Sequence, residues 1–296
     1  MTDTPPSETP LWQPSPDRIA QANVTRFMAA LEKRHGAKTG DFQALWRWSV
    51  ENSPHFWDMV WDYCGVIGEK GSRILSDADR MPGAQFFPDA TLNFAENLLR
   101  KNDDSDAIVF WGEDKVKRRL SWRALNEAVS RLAQALKAEG VTQGDRVAAY
   151  MPNLPETVIA MLAASSLGAT FTSASPDFGV QGVLDRFGQT EPKVLIAVEG
   201  YHYNGKVIDC LAKLREVAAQ LPTVQRVVVV PYAREAMDLT GIDRAVHSEY
   251  GYDLRMTSAF GLSTRPAEDP ADTVSDRRAA APVISTATPA DRKDLT

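Results

Sequence analysis

Short apolar runs alternate with segments of helical periodicity over residues 107–230, and no other feature constrains the fold as strongly. The runs AIVFWG and VKRRLSW predict a pair of strands, and GDRVAAYMPN, ATFTSA, KVLIAV and VQRVVVV each predict a further strand. Strands that alternate with helices are typical of right-handed crossovers and of a parallel sheet covered on both faces. The sequence therefore predicts an α/β fold with a parallel sheet and flanking helices.

The intervening segments carry helix signals. Ser121 can cap a helix that Gly140 ends, with apolar positions at Trp122, Leu125, Val129, Leu132 and Leu136. Pro155 stands where the first residue of the next helix belongs. The segments PETVIAMLAASSLG, VQGVLDRFGQ and KVIDCLAKLREVAAQL (residues 206–221) predict three more helices.

Four regions follow from the change of pattern along the chain. We expect a mobile tail at residues 1–10, a helical region at 11–100, the α/β region at 101–246 and a disordered tail at 247–296. In the helical region Phe42, Leu45, Trp46 and Val50 have helical spacing, which together with Trp48, Trp57 and Trp61 predicts a packed collar of helices. Residues 263–296 contain no aromatic residue and no glycine, too little apolar surface to offset chain entropy.

Composition excludes several classes of function. A net charge of −6 argues against nucleic acid as the main partner. Residues 157–176 carry no charge, but their serines and threonines and Gly168 favour a helix followed by a strand over a membrane span. Cys64 and Cys210 are expected to be buried thiols in a reducing cytoplasm. The sequence lacks the G-x-x-x-x-G-K-[ST], G-x-G-x-x-G, H-E-x-x-H and G-x-S-x-G motifs, and its histidines (His35, His55, His202 and His247) lack metal spacing, so we assign no catalytic residue and no metal ligand.

Two loops are candidate binding segments. Residues 199–206, EGYHYNGK, follow a predicted strand and offer backbone amides and Lys206, which suit an isolated phosphate. A connecting loop with a solvated lysine is the alternative for this segment. Residues 175–179, SPDFG, contain good turn residues but no cation, so this loop is expected to be scaffold or pocket wall.

Four blocks in order resemble the acyl-adenylate-forming ligases, and within them the enzymes that activate acetoacetate. The blocks are LWQPSPDRIAQANVTRFM, FFPDATLNFAENLL, residues 144–179 and EPKVLIAVEGYHYNGK. The resemblance implies that acetoacetate attacks the α-phosphate of ATP, releasing pyrophosphate, and that the CoA thiol then displaces AMP, with Mg²⁺ on the phosphates. It also implies that Tyr203, Asn204, Gly205 and Lys206 contact CoA, with Lys206 near the 3′-phosphate.

The family's Ser/Thr/Gly-rich phosphate loop, which ends in Pro-Lys, has no counterpart in this sequence. We therefore expect a shortened, inactive form whose tail from about residue 248 comes from a shifted frame or an aberrant junction. Two alternatives stay open, namely a ligase for acetate or propionate and a CoA-binding or interaction module without catalysis. The apolar run VQRVVVV is further expected to form an exposed sheet edge that promotes aggregation or dimerisation.

Overall fold

The computed structural model describes residue 10, residues 12–234 and residues 238–242. The disordered tail expected at 247–296 and nearly all of the tail expected at 1–10 lie outside the described residues, so both stay predictions. The chain divides into two compact units, Met1–Leu92 and Asn93–Thr296. The boundary expected between residues 100 and 101 falls inside the second of these units.

The first unit is mainly helical. Its elements are α1 (Pro16–Ala20), α2 (Asn23–His35), α3 (Phe42–Glu51), α4 (Ser53–Tyr63) and a short antiparallel pair of β1 (Leu75–Ser76) and β2 (Gln85–Phe86). Asp41 caps α3 by accepting a hydrogen bond of 2.8 Å from the amide of Ala44. Phe27, Leu31, Leu45 and Met59 form the buried centre that α2, α3 and α4 share.

The helix predicted from the spacing of Phe42, Leu45, Trp46 and Val50 is present as α3, but two expectations about burial in this unit are wrong. The residues Phe42, Trp46 and Val50 are 66%, 56% and 61% exposed, because α3 turns Leu45 and Trp48 toward the buried cluster instead. Cys64 is also exposed, since it follows the last residue of α4 rather than lying on its buried face. Cys210 is buried as expected, and that burial raises the pKa of its thiol to about 11.

The second unit carries the α/β architecture. It opens with α5 (Phe94–Leu98), β3 (Asp106–Gly112) and β4 (Val116–Ser121), the two strands forming an antiparallel hairpin. The elements that follow are α6 (Trp122–Ala138), β5 (Arg146–Tyr150), α7 (Pro155–Ser166), β6 (Thr170–Ala174), α8 (Val180–Thr190), β7 (Val194–Val198), β8 (Gly200–Tyr203), β9 (Lys206–Asp209), α9 (Leu211–Gln220) and β10 (Arg226–Val230).

The main sheet has the strand order β10-β7-β5-β6, and all its neighbouring strands are parallel. Alternate residues of β5, β7 and β10 enter two different buried clusters. One cluster contains the apolar faces of α6 and α7, and the other contains those of α8 and α9. Helices thus cover both faces of the sheet, which confirms the predicted α/β fold.

Local signals were accurate for α6 and inaccurate for α9. Ser121 caps α6 through a 3.2 Å hydrogen bond from the amide of Ala124, and Gly140 adopts a φ of +76° just beyond the helix. The helix expected from Lys206 begins only at Leu211, because residues 206–209 form β9. The alternation of side chains in KVID suits a strand that pairs with β8.

β10 lies at one edge of the main sheet in the described part of the chain. Self-association through this edge stays a prediction. No helix among the described residues has the length and apolar character needed to cross a bilayer.

Candidate functional site

The carboxyl ends of the four parallel strands define the candidate site. β5, β6, β7 and β10 end at Tyr150, Ala174, Val198 and Val230, and parallel strands place their following segments at one edge of the sheet. Both candidate segments, 175–179 and 199–206, leave this edge. They meet where the hydroxyl of Tyr201 donates a 2.5 Å hydrogen bond to Asp177.

The loop at residues 175–179 is braced from several directions. The hydroxyl of Tyr150 lies 2.7 Å from the carbonyl oxygen of Phe178 and 3.1 Å from that of Pro176, and the ammonium of Lys213 donates to Pro176 at 2.6 Å. Burial raises the pKa of Tyr150 to about 12, so its phenol keeps the proton that these carbonyls require. The loop thus turns the carbonyl oxygens of Pro176 and Phe178 toward the donors that support it.

Asp177 is the charged member of this loop. Hydrogen bonds from Tyr201 and from Ser175 hold the pKa of its carboxyl group below the usual range, because both stabilise the carboxylate. The same contact acts in the opposite direction on Tyr201, whose pKa burial and the carboxylate raise. The pair therefore stays as phenol and carboxylate at neutral pH and connects the 175–179 loop to β8.

Residues 200–209 form a hairpin, where the sequence predicted a loop followed by the start of a helix. β8 and β9 pair with Tyr203 opposite Lys206, and Asn204 and Gly205 make the turn with φ of +50° and +73°. Two central residues with positive φ are the geometry of the two-residue turns that Asn-Gly favours. The four residues predicted to contact CoA all lie at the exposed tip of this hairpin, namely Tyr203, Asn204, Gly205 and Lys206.

The backbone amides at this tip are already hydrogen-bonded. The carboxylate of Glu113 accepts from the amide of Asn204 at 2.5 Å and from that of Gly205 at 3.0 Å. Glu113 lies in the turn between β3 and β4, 91 residues from Asn204. The sequence does not single out this residue, because an acidic turn residue carries no signal of a partner so distant along the chain.

Glu199 connects two further segments at the same edge. Its carboxylate is fully buried and accepts hydrogen bonds from three consecutive amides, those of Tyr232 (2.8 Å), Ala233 (2.5 Å) and Arg234 (2.6 Å). The side chain of Arg234 donates in turn to Asp209 at the end of β9. The segment after β10 is thereby attached to both ends of the hairpin, a role that the sequence pattern did not indicate.

Comparison with known proteins identifies the class. A family model described as AMP-binding enzyme matches residues 94–275, and a model described as the N-terminus of acetyl-coenzyme A synthetase matches residues 42–98. The chain belongs to the family of AMP-binding enzymes, as the resemblance implied. The first match continues past residue 248, from which the tail is expected to depart from the family pattern.

Two relatives within this class are named acetoacetyl-CoA synthetase. Acetoacetyl-coenzyme A synthetase of Rhizobium meliloti (strain 1021) is 51% identical over 235 residues, and acetoacetyl-CoA synthetase of Danio rerio is 37% identical over 246. These alignments cover 79% and 81% of this chain but 36% of each relative. The structure of acetoacetyl-CoA synthetase from Streptomyces lividans matches with a TM-score of 0.72 and 44% identity, over 78% of this chain and 36% of that one. The chain thus spans about a third of the length of the relatives that it matches.

Proposed function

We propose that this chain provides the first part of an acetoacetate–CoA ligase, which joins acetoacetate to CoA at the expense of ATP. The observation that carries the proposal is the 51% identity over 235 residues to a protein named acetoacetyl-coenzyme A synthetase. We place this protein in the reducing cytoplasm, because the sequence contains only two cysteines.

The proposal assigns the nucleotide phosphates and Mg²⁺ to residues beyond those that the structure describes. The hairpin tip offers one cation, Lys206, which fits a single phosphate group and not a triphosphate with its metal. The loop at 175–179 directs carbonyl oxygens to its own donors and carries an acidic residue, so it does not fit a triphosphate either. ATP supplies the activation of the carboxylate in such a ligase, and this part of the chain supplies scaffold and a CoA contact.

The match to the N-terminus of acetyl-coenzyme A synthetase supports a second candidate, a ligase for acetate or propionate. Two chimeras separate the candidates: residues 1–246 joined to the remaining part of the Rhizobium relative, or to that of an acetate ligase. We expect the 296-residue chain alone to show no acid-dependent exchange of pyrophosphate into ATP. We expect the Rhizobium chimera to regain exchange with acetoacetate at a rate at least about tenfold above the acetate chimera with acetate, because domain packing and acyl pocket match only there.

Circular dichroism shows whether each chimera folds, and the intact Rhizobium relative is the positive control. Exchange catalysed by the 296-residue chain itself contradicts the assignment of the ATP phosphates to residues outside the described part of the chain. If the acetate chimera is the more active of the two, the second candidate, a ligase for acetate or propionate, replaces the first.

We propose that Tyr203, Asn204, Gly205 and Lys206 form the CoA contact, with the ammonium of Lys206 on the 3′-phosphate. Within the described part of the chain, no hydrogen bond or ion pair engages that ammonium group, so it is available to a ligand. Tyr203 beside it is 63% exposed and can pack on the adenine.

Replacing Lys206 with alanine tests this contact. We expect the unaltered chain to bind CoA about five- to tenfold more tightly than 3′-dephospho-CoA, since one charge-assisted contact at an exposed site contributes about 1 kcal/mol. Lys206→Ala removes the difference, and Lys137→Ala, at an exposed position on α6, retains it. Calorimetric titration measures both affinities. Equal binding of the two ligands by the unaltered chain removes Lys206 from the proposal.

A further inference from the structure

Two turns from different hairpins meet at the proposed CoA contact. The β3–β4 turn contributes Glu113, and the β8–β9 turn contributes the amides of Asn204 and Gly205. Each carboxylate oxygen of Glu113 accepts from a different amide, at 2.5 Å and 3.0 Å. The tip of the β8–β9 hairpin therefore holds a bidentate anion that belongs to the chain itself.

Successive backbone amides directed at one pair of oxygens are a recurrent way in which proteins bind phosphate. The next residue after these amides is Lys206, whose ammonium is engaged by no other described residue. Amides and cation together make a phosphate site of ordinary composition. A phosphate bound by these two amides would have to displace the carboxylate of Glu113, which now accepts from both.

Glu113 can be displaced from these amides. It is exposed, and contacts of exposed charges are weakened by water and salt. A phosphate carries a higher charge than this carboxylate and can also contact the neighbouring Lys206. It can therefore compete with Glu113 for the two amides.

We propose that Asn204, Gly205 and Lys206 form a phosphate-binding site that Glu113 occupies until a ligand phosphate displaces it. The identity of that ligand as CoA rests on the proposed function. The phosphate site itself does not, because the amides and the carboxylate that fills their place are present in this chain. Glu113 then sets the affinity for the phosphorylated ligand by competing for the same two amides.

The test compares Glu113→Ala with Asp114→Ala in the 296-residue chain. Both variants remove one negative charge from the same turn, but Asp114 is 97% exposed and bonds neither amide. We expect Glu113→Ala to bind CoA about three- to tenfold more tightly and to leave 3′-dephospho-CoA unchanged, because two amides become free and one repulsive charge is lost. Asp114→Ala is expected to match the unaltered chain. Weaker or unchanged CoA binding by Glu113→Ala overturns the competition.

A second measurement separates this inference from the proposed function. Inorganic phosphate is titrated into nitrogen-15-labelled protein while the amide resonances of Asn204 and Gly205 are followed. We expect both resonances to shift in Glu113→Ala at phosphate concentrations that leave the unaltered chain unchanged. If they do so while CoA and its dephospho form bind equally, the CoA assignment fails and the phosphate site stands. If they do not shift in Glu113→Ala, the phosphate site is overturned.

Discussion

Replacing Arg118 with methionine is expected to lower the free energy of unfolding by about 3 kcal/mol, since the change leaves a buried carboxylate without its cation. Arg118 on β4 donates two hydrogen bonds, of 2.6 and 2.7 Å, to the two carboxylate oxygens of Glu156. The side chain of Glu156 is 3% exposed, so water cannot replace the lost partner. Chemical denaturation followed by circular dichroism measures the change.

Arg119, the next residue, is the matched control. Its ion pair with Asp106 joins two exposed side chains, and Arg119→Met is expected to change stability by less than about 0.5 kcal/mol. The double variant Arg118→Met, Glu156→Leu should recover most of the loss, because two apolar side chains then replace both charges. Equal effects of the two arginine substitutions, or no recovery in the double variant, would show that Glu156 is not stabilised by this pair.

The framework of the second unit could be predicted because its signals are local. The runs in β5, β7 and β10 are apolar at nearly every position, as strands buried on both faces must be. The cap at Ser121 and the spacing of apolar residues in α6 lie within one helix. Such signals need no knowledge of what packs against the segment.

The α3 helix shows where that reasoning fails. Periodicity indicates an amphipathic helix, but Phe42 and Leu45 both satisfy it, and only Leu45 is buried. The angle at which α2, α3 and α4 cross decides which residues on the apolar side contact the buried cluster. The spacing of residues within α3 does not determine that angle.

The hairpin of the candidate site could be predicted from the sequence, but its contacts with distant residues could not. The dipeptide Asn204-Gly205 between alternating segments is a strong hairpin signal, and it was available in the sequence. The hydrogen bonds that join the hairpin and its neighbours to distant segments run from Asn204 to Glu113 and from Tyr232 to Glu199, over 91 and 33 residues. Pairings of single side chains at such separations leave no pattern in one sequence.

Replacing Glu199 with alanine is expected to cost about 3 kcal/mol of folding free energy, because three partly buried amides lose one shared acceptor. The amides of Tyr232, Ala233 and Arg234 converge on this carboxylate, which is 0% exposed. Glu199→Gln should cost less, about 1 to 2 kcal/mol, since the amide oxygen still accepts while its NH₂ group faces a donor. Glu216→Ala, at an exposed position on α9, is the control and should stay within about 0.5 kcal/mol.

Hydrogen exchange distinguishes a local from a global role for this clamp. Glu199 joins the segment after β10 to the end of β7, and the exchange of the Tyr232, Ala233 and Arg234 amides reports that junction directly. In Glu199→Gln we expect these three amides to lose protection by about tenfold or more, while the amides of β5 keep theirs. Protection lost equally in β5 would mean that Glu199 stabilises the whole sheet rather than this junction. Protection retained at all three amides would show that the carboxylate does not hold the segment. The connection between β10 and the β8–β9 hairpin would then depend on contacts such as the Arg234–Asp209 ion pair and the ring contact between Tyr232 and His202.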